Sequence, residues 1–267
     1  MDRTIRRGRT RTWPRWHRSL WYHGAFYLQT WRASVISTFL FPLLYLASMG
    51  LGVGHLVSAH TGLVEGRSYL RFVAPGLLAI TAMNLGESES MWPVLGAVKW
   101  VRTYHAAVAT PLEPEDIVLG KLAWVGVRLF FTGVVLTITI AFFGALNSWW
   151  ALTLPLLAVL IGLAFAAPLM AFASTRESDA SFTSIYRFLI IPMFLFSATF
   201  YPMSQYPGYL RPVVQLMPLY HGVALARSAA FGHAEVGSMV LHLTVLGGML
   251  FLGLRSAKKN LRRRLAS

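Results

Sequence analysis

Apolar residues in this chain come in long, nearly unbroken runs, at roughly 33–54, 69–92, 119–144, 150–173, 183–201 and 235–254. Each run supplies about the 20 consecutive apolar residues that a helix needs to cross a bilayer core roughly 30 Å thick. Runs of that length without period-2 alternation predict helices buried in lipid rather than strands or amphipathic soluble helices. The pattern therefore predicts an all-α membrane protein with six transmembrane helices. An even number of spans places both ends of the chain on the same side. The organisation that follows is a cytoplasmic basic tail and interfacial helix over 1–32, a six-span domain over 33–254, and a basic tail over 255–267.

Two stretches break the pattern. In residues 15–32, Trp16, Leu20, Gly24, Tyr27 and Trp31 recur at spacings of three and four, with Arg15, Arg18 and Arg32 around them. An aromatic stripe flanked by arginines predicts a helix lying in the headgroup plane and leading into the first span as an elbow. Residues 1–12 read as a disordered basic tail. The second stretch, 202–231, is apolar but carries Pro202, Pro207, Pro212 and Pro218. Proline inside a helix deletes a backbone hydrogen bond and clashes with the preceding turn. The stretch is thereby cut into pieces too short to cross, and two re-entrant helices are predicted near 207–216 and 219–231, divided at Pro218.

Composition supports the lipid reading: 55% of residues are hydrophobic and 13% charged, against roughly 25% charged in soluble domains. The net charge of +14 would fit nucleic-acid binding if it formed one soluble face, but it gathers at the chain ends and between the apolar runs. Eight arginines precede the first span, six basic residues follow the last, and Lys99, Arg102, Lys121, Arg176 and Arg187 lie in the loops of the same side. Opposite them are only Arg67, Arg71, Arg211 and Arg227. By the positive-inside rule both termini are cytoplasmic, and no nucleic-acid partner is expected.

Chemistry is sparse. The sequence has no zinc-protease, nucleophile-elbow or phosphate-loop motif; Gly120-Lys121 lacks the upstream glycine and the following Ser or Thr. The chain is therefore expected to be no enzyme, with no catalytic, cofactor-binding or metal-ligating residue. Cysteine is absent, which removes disulfides and thiolate metal sites. Charged side chains at membrane depth are costly and call for a partner: Glu87 and Glu89 end the second span, and Arg128 lies about two and a half turns into the third, close enough in depth for an ion pair. The loop 99–121 holds Thr110 and Pro111, then Glu113, Glu115 and Asp116. Proline and acids suit a first helical turn, so an exposed acidic helix around 111–118 is predicted, fit for docking a soluble partner. Phe41, Tyr45, Met83, Met193 and Phe196 offer an adaptable apolar wall for an acyl chain.

Three stretches, FVAPGLLA at 72–79, TPLEPEDIVLGK at 110–121 and FYPMSQYPGYLRPVVQLMPLYHGVALAR at 200–227, resemble the permeases of type-2 ABC exporters. The likeness is greatest to the branch with the nodulation-type lipo-oligosaccharide and daunorubicin-resistance permeases, and it covers the chain after about residue 15. The resemblance implies a coupling helix at 110–121 that seats in a separate ATPase. It implies a re-entrant cap over the exit carried by Tyr201, Pro202, Pro218, Tyr220 and His221. It also implies two ATPase subunits binding ATP and Mg, a second permease copy or paralogue, and contact with membrane lipids. The substrate implied is a lipo-oligosaccharide, another glycolipid or lipid, or a hydrophobic drug. Two other classes stay open on the residues alone. A proton-coupled secondary transporter would need a relay deep in another span, and a membrane-embedded lipid-modifying enzyme would need His, Asp and Ser clustered at one face.

Overall fold

The computed structural model describes residues 15–54, 62–232 and 235–266. The predicted tail 1–12 and the side chain of Phe41 lie outside the described residues. Among the described residues the chain is helical throughout, with a single two-residue bridge, Val64 to Arg67, in place of any strand.

The chain opens with α1 (Trp16–Ala47), which passes without a break into a π-helical turn, Ser48–Val53. The stretch 15–32 and the beginning of the predicted first span thus share one helix. Then come α2 (Tyr69–Ser90), the short α3 (Trp92–Leu95) with a π turn at Gly96–Trp100, and α4 (Thr103–Val108). The long α5 (Pro114–Phe142) follows. A 3-10 turn at Trp149–Thr153 leads into α6 (Leu154–Ala173). Next are α7 (Ala180–Ile185), a π turn at Tyr186–Ile190 and α8 (Ile191–Phe196). The last three helices are α9 (Arg211–Leu216), α10 (Pro218–Phe231) and α11 (Val236–Ala266).

Four of these stretches are long and apolar enough to cross a membrane: Tyr69–Trp100, Pro114–Phe142, Trp149–Ala173 and Val236–Ala266. The predicted fifth span is covered by a shorter apolar helical stretch, Ala180–Phe196. Its π turn has a local cause. Pro192 supplies no amide hydrogen and crowds the carbonyl four residues back, so the ladder widens at Tyr186–Ile190 instead of closing regularly.

Helix α6 is central, packing against α2, α5, α10 and α11. It can sit there because its contacts are made on small residues: a Cβ on Gly86 would stand 2.3 Å from the carbonyl oxygen of Gly162, and one on Gly162 would stand 2.3 Å from Leu129 Cδ2. Helices in lipid gain little from hydrophobicity between them, so close backbone approach and dispersion do the packing. The outward faces stay apolar: Phe131, Ile138, Leu156, Phe188, Phe251 and Leu252 are all more than half exposed in the isolated chain.

Pro218 takes the first position of α10, and the residue before it, Met217, is extended at φ −70°, ψ 126°. A residue preceding proline is driven out of the α region, which is why α9 ends at Leu216 and the two short helices meet at an angle.

Candidate functional site

The loop between α2 and α5 forms one end of the molecule. The acids predicted to lie on a separate short helix are the start of α5 itself, and the separate short helix of this loop is α4, earlier in sequence. The reason is the capping box: the Glu113 side chain accepts from the backbone amide of Asp116, and the Glu113 amide donates to Asp116 Oδ2 at 3.2 Å. With Pro114 in the first turn and Glu115 and Asp116 beside it, every helix-start signal falls at 113–116. Asp116 Oδ1 also accepts from the amide of Arg15 at 3.1 Å, and the Arg15 guanidinium donates to the Pro111 carbonyl at 3.0 Å. Thr110 closes the turn by donating to Ala107 O at 2.6 Å. Thr110, Pro111 and Glu113 are exposed, and Glu115 and Asp116 are half-buried.

The far end of α11 reaches the same face. Lys258 Nζ lies 3.9 Å from Glu115, and Asn260 Nδ2 donates to Ala171 O at the end of α6, at 3.0 Å. Glu177, in the loop after α6, is held by Arg264 and by Lys99 Nζ at 2.7 Å. Those two hydrogen bonds hold its carboxyl down at about 2 although it is exposed.

One helical turn or so toward the membrane, Arg128 contacts Glu89, as does Lys121 Nζ at 2.7 Å. Glu87, two residues earlier, faces elsewhere: it is buried, and its Oε1 has no hydrogen-bond partner among the described residues. Lys121, counted among the loop charges from the sequence, is inside α5 and only 4% exposed. Its spacing of seven from Arg128 puts both cations on one helix face, a signal the sequence carries.

At the opposite end, α10 is tied down. Arg227 donates to Thr199 O at 2.9 Å and to Phe72 O at 3.3 Å, with its guanidinium 3.8 Å over the Phe72 ring. Asn147, between α5 and α6, donates to Ala230 O at 3.0 Å. His221 and His242 meet Nδ1 to Nδ1 at 2.7 Å, with Ser238 Oγ 3.0 Å from His242 Nε2 and the Tyr220 ring 5.9 Å from that of His242. The two histidines are 21 residues apart, and no spacing rule announces their meeting. Tyr201 is exposed, Pro202 buried, and Pro218 and Tyr220 half-buried. Met83 and Met193 are buried in the bundle, Tyr45 is half-buried and Phe196 is 46% exposed. Among the described residues no three His, Cys, Asp or Glu side chains converge as a metal site would require.

A helical bundle with lipid-length apolar helices, small-residue packing and charge gathered at one end defines a multi-pass membrane protein. The chain belongs to the ABC-2 type transporter family, whose model matches residues 20–231, and it is a transmembrane permease component. It is 31% identical to nodulation protein J of Rhizobium leguminosarum bv. viciae, over 87% of this chain and 88% of that protein. Nodulation protein J of Rhizobium meliloti is 32% identical over 80% of each chain. The inner membrane transport permease YadH of Escherichia coli K12 is 25% identical over 75% of this chain and 78% of that protein.

Proposed function

We propose that the chain is the permease half of an exporter, with six spans and cytoplasmic termini, moving a lipid-linked or amphiphilic substrate outward under power from a separate ATPase. The span count draws support from parity. Contacts of Arg15 with Asp116, Glu177 with Lys99 and Arg264, and Lys258 with Glu115 gather the starts of α1 and α5 and the ends of α6 and α11 on one face. Arg227 of α10 meets Phe72, near the start of α2, toward the other face. On this reading α1 would cross to reach α2, and 180–196 would cross to reach α10.

The observation that carries coupling is the exposed turn Thr110–Glu113, braced by the capping box and by Arg15. A rigid, acidic projection can pass a push into α5 without melting. Glu113 and Glu115 would face basic ATPase surface, while Asp116 serves chiefly to cap the helix. ATP would close the partner dimer and bias the bundle between inward-open and outward-open packings, which demands different affinity for the two. Two permease subunits and two ATPase subunits complete the machine, with ATP and Mg held by the partner. The substrates that fit are a lipo-oligosaccharide, another glycolipid or lipid, or a hydrophobic drug.

Deleting residues 110–113 should leave a protein that inserts and co-purifies weakly or not at all with its ATPase, with substrate-stimulated ATP turnover lost. Full stimulation by that variant would refute the assignment.

A further inference from the structure

The Glu89, Lys121 and Arg128 cluster lines a cleft of about 590 Å³ between the first half of α1, the end of α2, α3, α4 and α5. Two cations share one carboxylate, so the site carries an excess positive charge. His23, in the interfacial stretch of α1, adds none at pH 7, since burial and then Lys121 push it down to about 4. The walls are aromatic: Trp92, Trp100, Tyr104 and Trp124 line the cleft with Tyr27, whose ring lies 5.2 Å below the Arg128 guanidinium and 5.3 Å from Trp124.

Depth follows from helix length. A crossing takes about 20 residues at 1.5 Å each. Counted from Tyr69 down α2, that distance ends near Glu89; counted back from Phe142 along α5, it ends near Lys121. The cluster thus stands at the inner hydrocarbon boundary, where tryptophan and tyrosine concentrate and where lipid phosphates sit. Arg128, one to two turns deeper, can reach that level with its long stem. On the other side of Trp124 runs a groove of about 750 Å³ lined by Leu20, Trp21, Gly24 and Val127, with His17 and Arg18 on the same wall.

We propose that this cleft binds the phosphate headgroup of an anionic inner-leaflet lipid. Lys121 and Arg128 take the phosphate. Glu89 is the resident counter-ion that an arriving headgroup displaces. Each oxygen of Glu89 takes one of the two cations, whereas a phosphate offers a further oxygen, so that the guanidinium fork can bind two oxygens while the ammonium binds a third. The inference rests on the spanning assignment of α2 and α5 with this end inside, and it is independent of ATP-driven transport.

The test is lipid retention by the purified chain in neutral detergent, measured by native mass spectrometry without the ATPase. Phosphatidylglycerol should bind on the order of tenfold more tightly than phosphatidylcholine, which corresponds to about 1.4 kcal/mol, and added salt should erode the difference. The variants move in opposite directions. Lys121→Gln with Arg128→Gln should erase the preference, Arg128→Lys should keep part of it, and Glu89→Gln should raise phosphatidylglycerol retention by removing the competitor. Equal retention of the two lipids by the unaltered chain overturns the proposal. So does a folded Glu89→Gln variant that loses the preference, which would make the cluster a structural ion network. Complete displacement of lipid by millimolar inorganic phosphate would also overturn it, by assigning the site to a free anion. Because nothing here reads ATP turnover, failure of the coupling assignment and failure of this site appear in different measurements.

Discussion

Charge placement does most of its work on single residues at the ion-rich end. Glu177 is exposed, and an isolated surface pair contributes little, yet here one carboxylate serves two cations from α11 and the α3 region at once. Its folded value, about 2, lies below the ordinary carboxylate value of 4.5. The contribution is therefore fully present above that ordinary value and fades as pH falls from 4.5 toward 2. A fluorophore on a single cysteine at position 266 should show constant anisotropy from pH 8 to about 5 and greater mobility below about 4. Glu177→Gln should give the mobile behaviour at pH 7; a label that stays immobile in that variant would leave the clip without a role. Of this arrangement the sequence shows only that basic residues crowd one side. Which carboxylate each of them meets depends on how α6 and α11 are brought together, and that is set by packing far along the chain.

Helices were the legible level, because a lipid-facing helix must satisfy its backbone internally and so declares itself as a long apolar run. The boundaries of α2, α5 and α6 and the start of α11 lie close to those runs, while α11 continues through the predicted basic tail to Ala266; the Pro218 break falls between α9 and α10 as its chemistry requires. Less legible was where an element with mixed signals would stop. The stripe of Trp16, Leu20, Gly24 and Tyr27 has the period of an interfacial helix. In the structure this part of α1 packs closely on α5: a Cβ on Gly24 would lie 3.6 Å from Trp124, and one on Gly120 of α5 would lie 2.4 Å from Ser19. An amphipathic period does not say whether the partner is lipid or protein. Close packing of this kind makes a sharp expectation. Gly162→Leu would drive its side chain into Leu129 and the Ala82 carbonyl and should abolish monodisperse protein on size-exclusion chromatography. Gly162→Ala should cost about 1–3 kcal/mol in a denaturant titration. Gly247, which has open space around it, should accept alanine without measurable change, and a tolerated Gly162→Leu would mean that α2, α5 and α6 do not meet there.

On the scale of the whole molecule, the chain is a bundle with distinct ends: an ion-rich end where α1, α5, α6 and α11 are laced together, and an end where Arg227 of α10 meets Phe72 and Thr199. The absence of native cysteine makes its orientation directly measurable. In intact cells an impermeant maleimide should label Ser204→Cys but reach Thr110→Cys only after the membrane is opened; the reverse pattern would invert the topology. The His221 and His242 contact marks the limit of sequence reading at this scale, since nothing local distinguishes those two from the other six histidines. The span of α11 has a practical corollary. At 31 residues it is about 46 Å long, half as long again as the bilayer core, and its last three turns leave the lipid without a hinge. The terminal residues are then the visible end of a lever whose other arm is inside the membrane. A tilt of about 5° of the whole helix about its far end, too slight to follow among packed side chains, would sweep that end through roughly 4 Å relative to any fixed point on the partner.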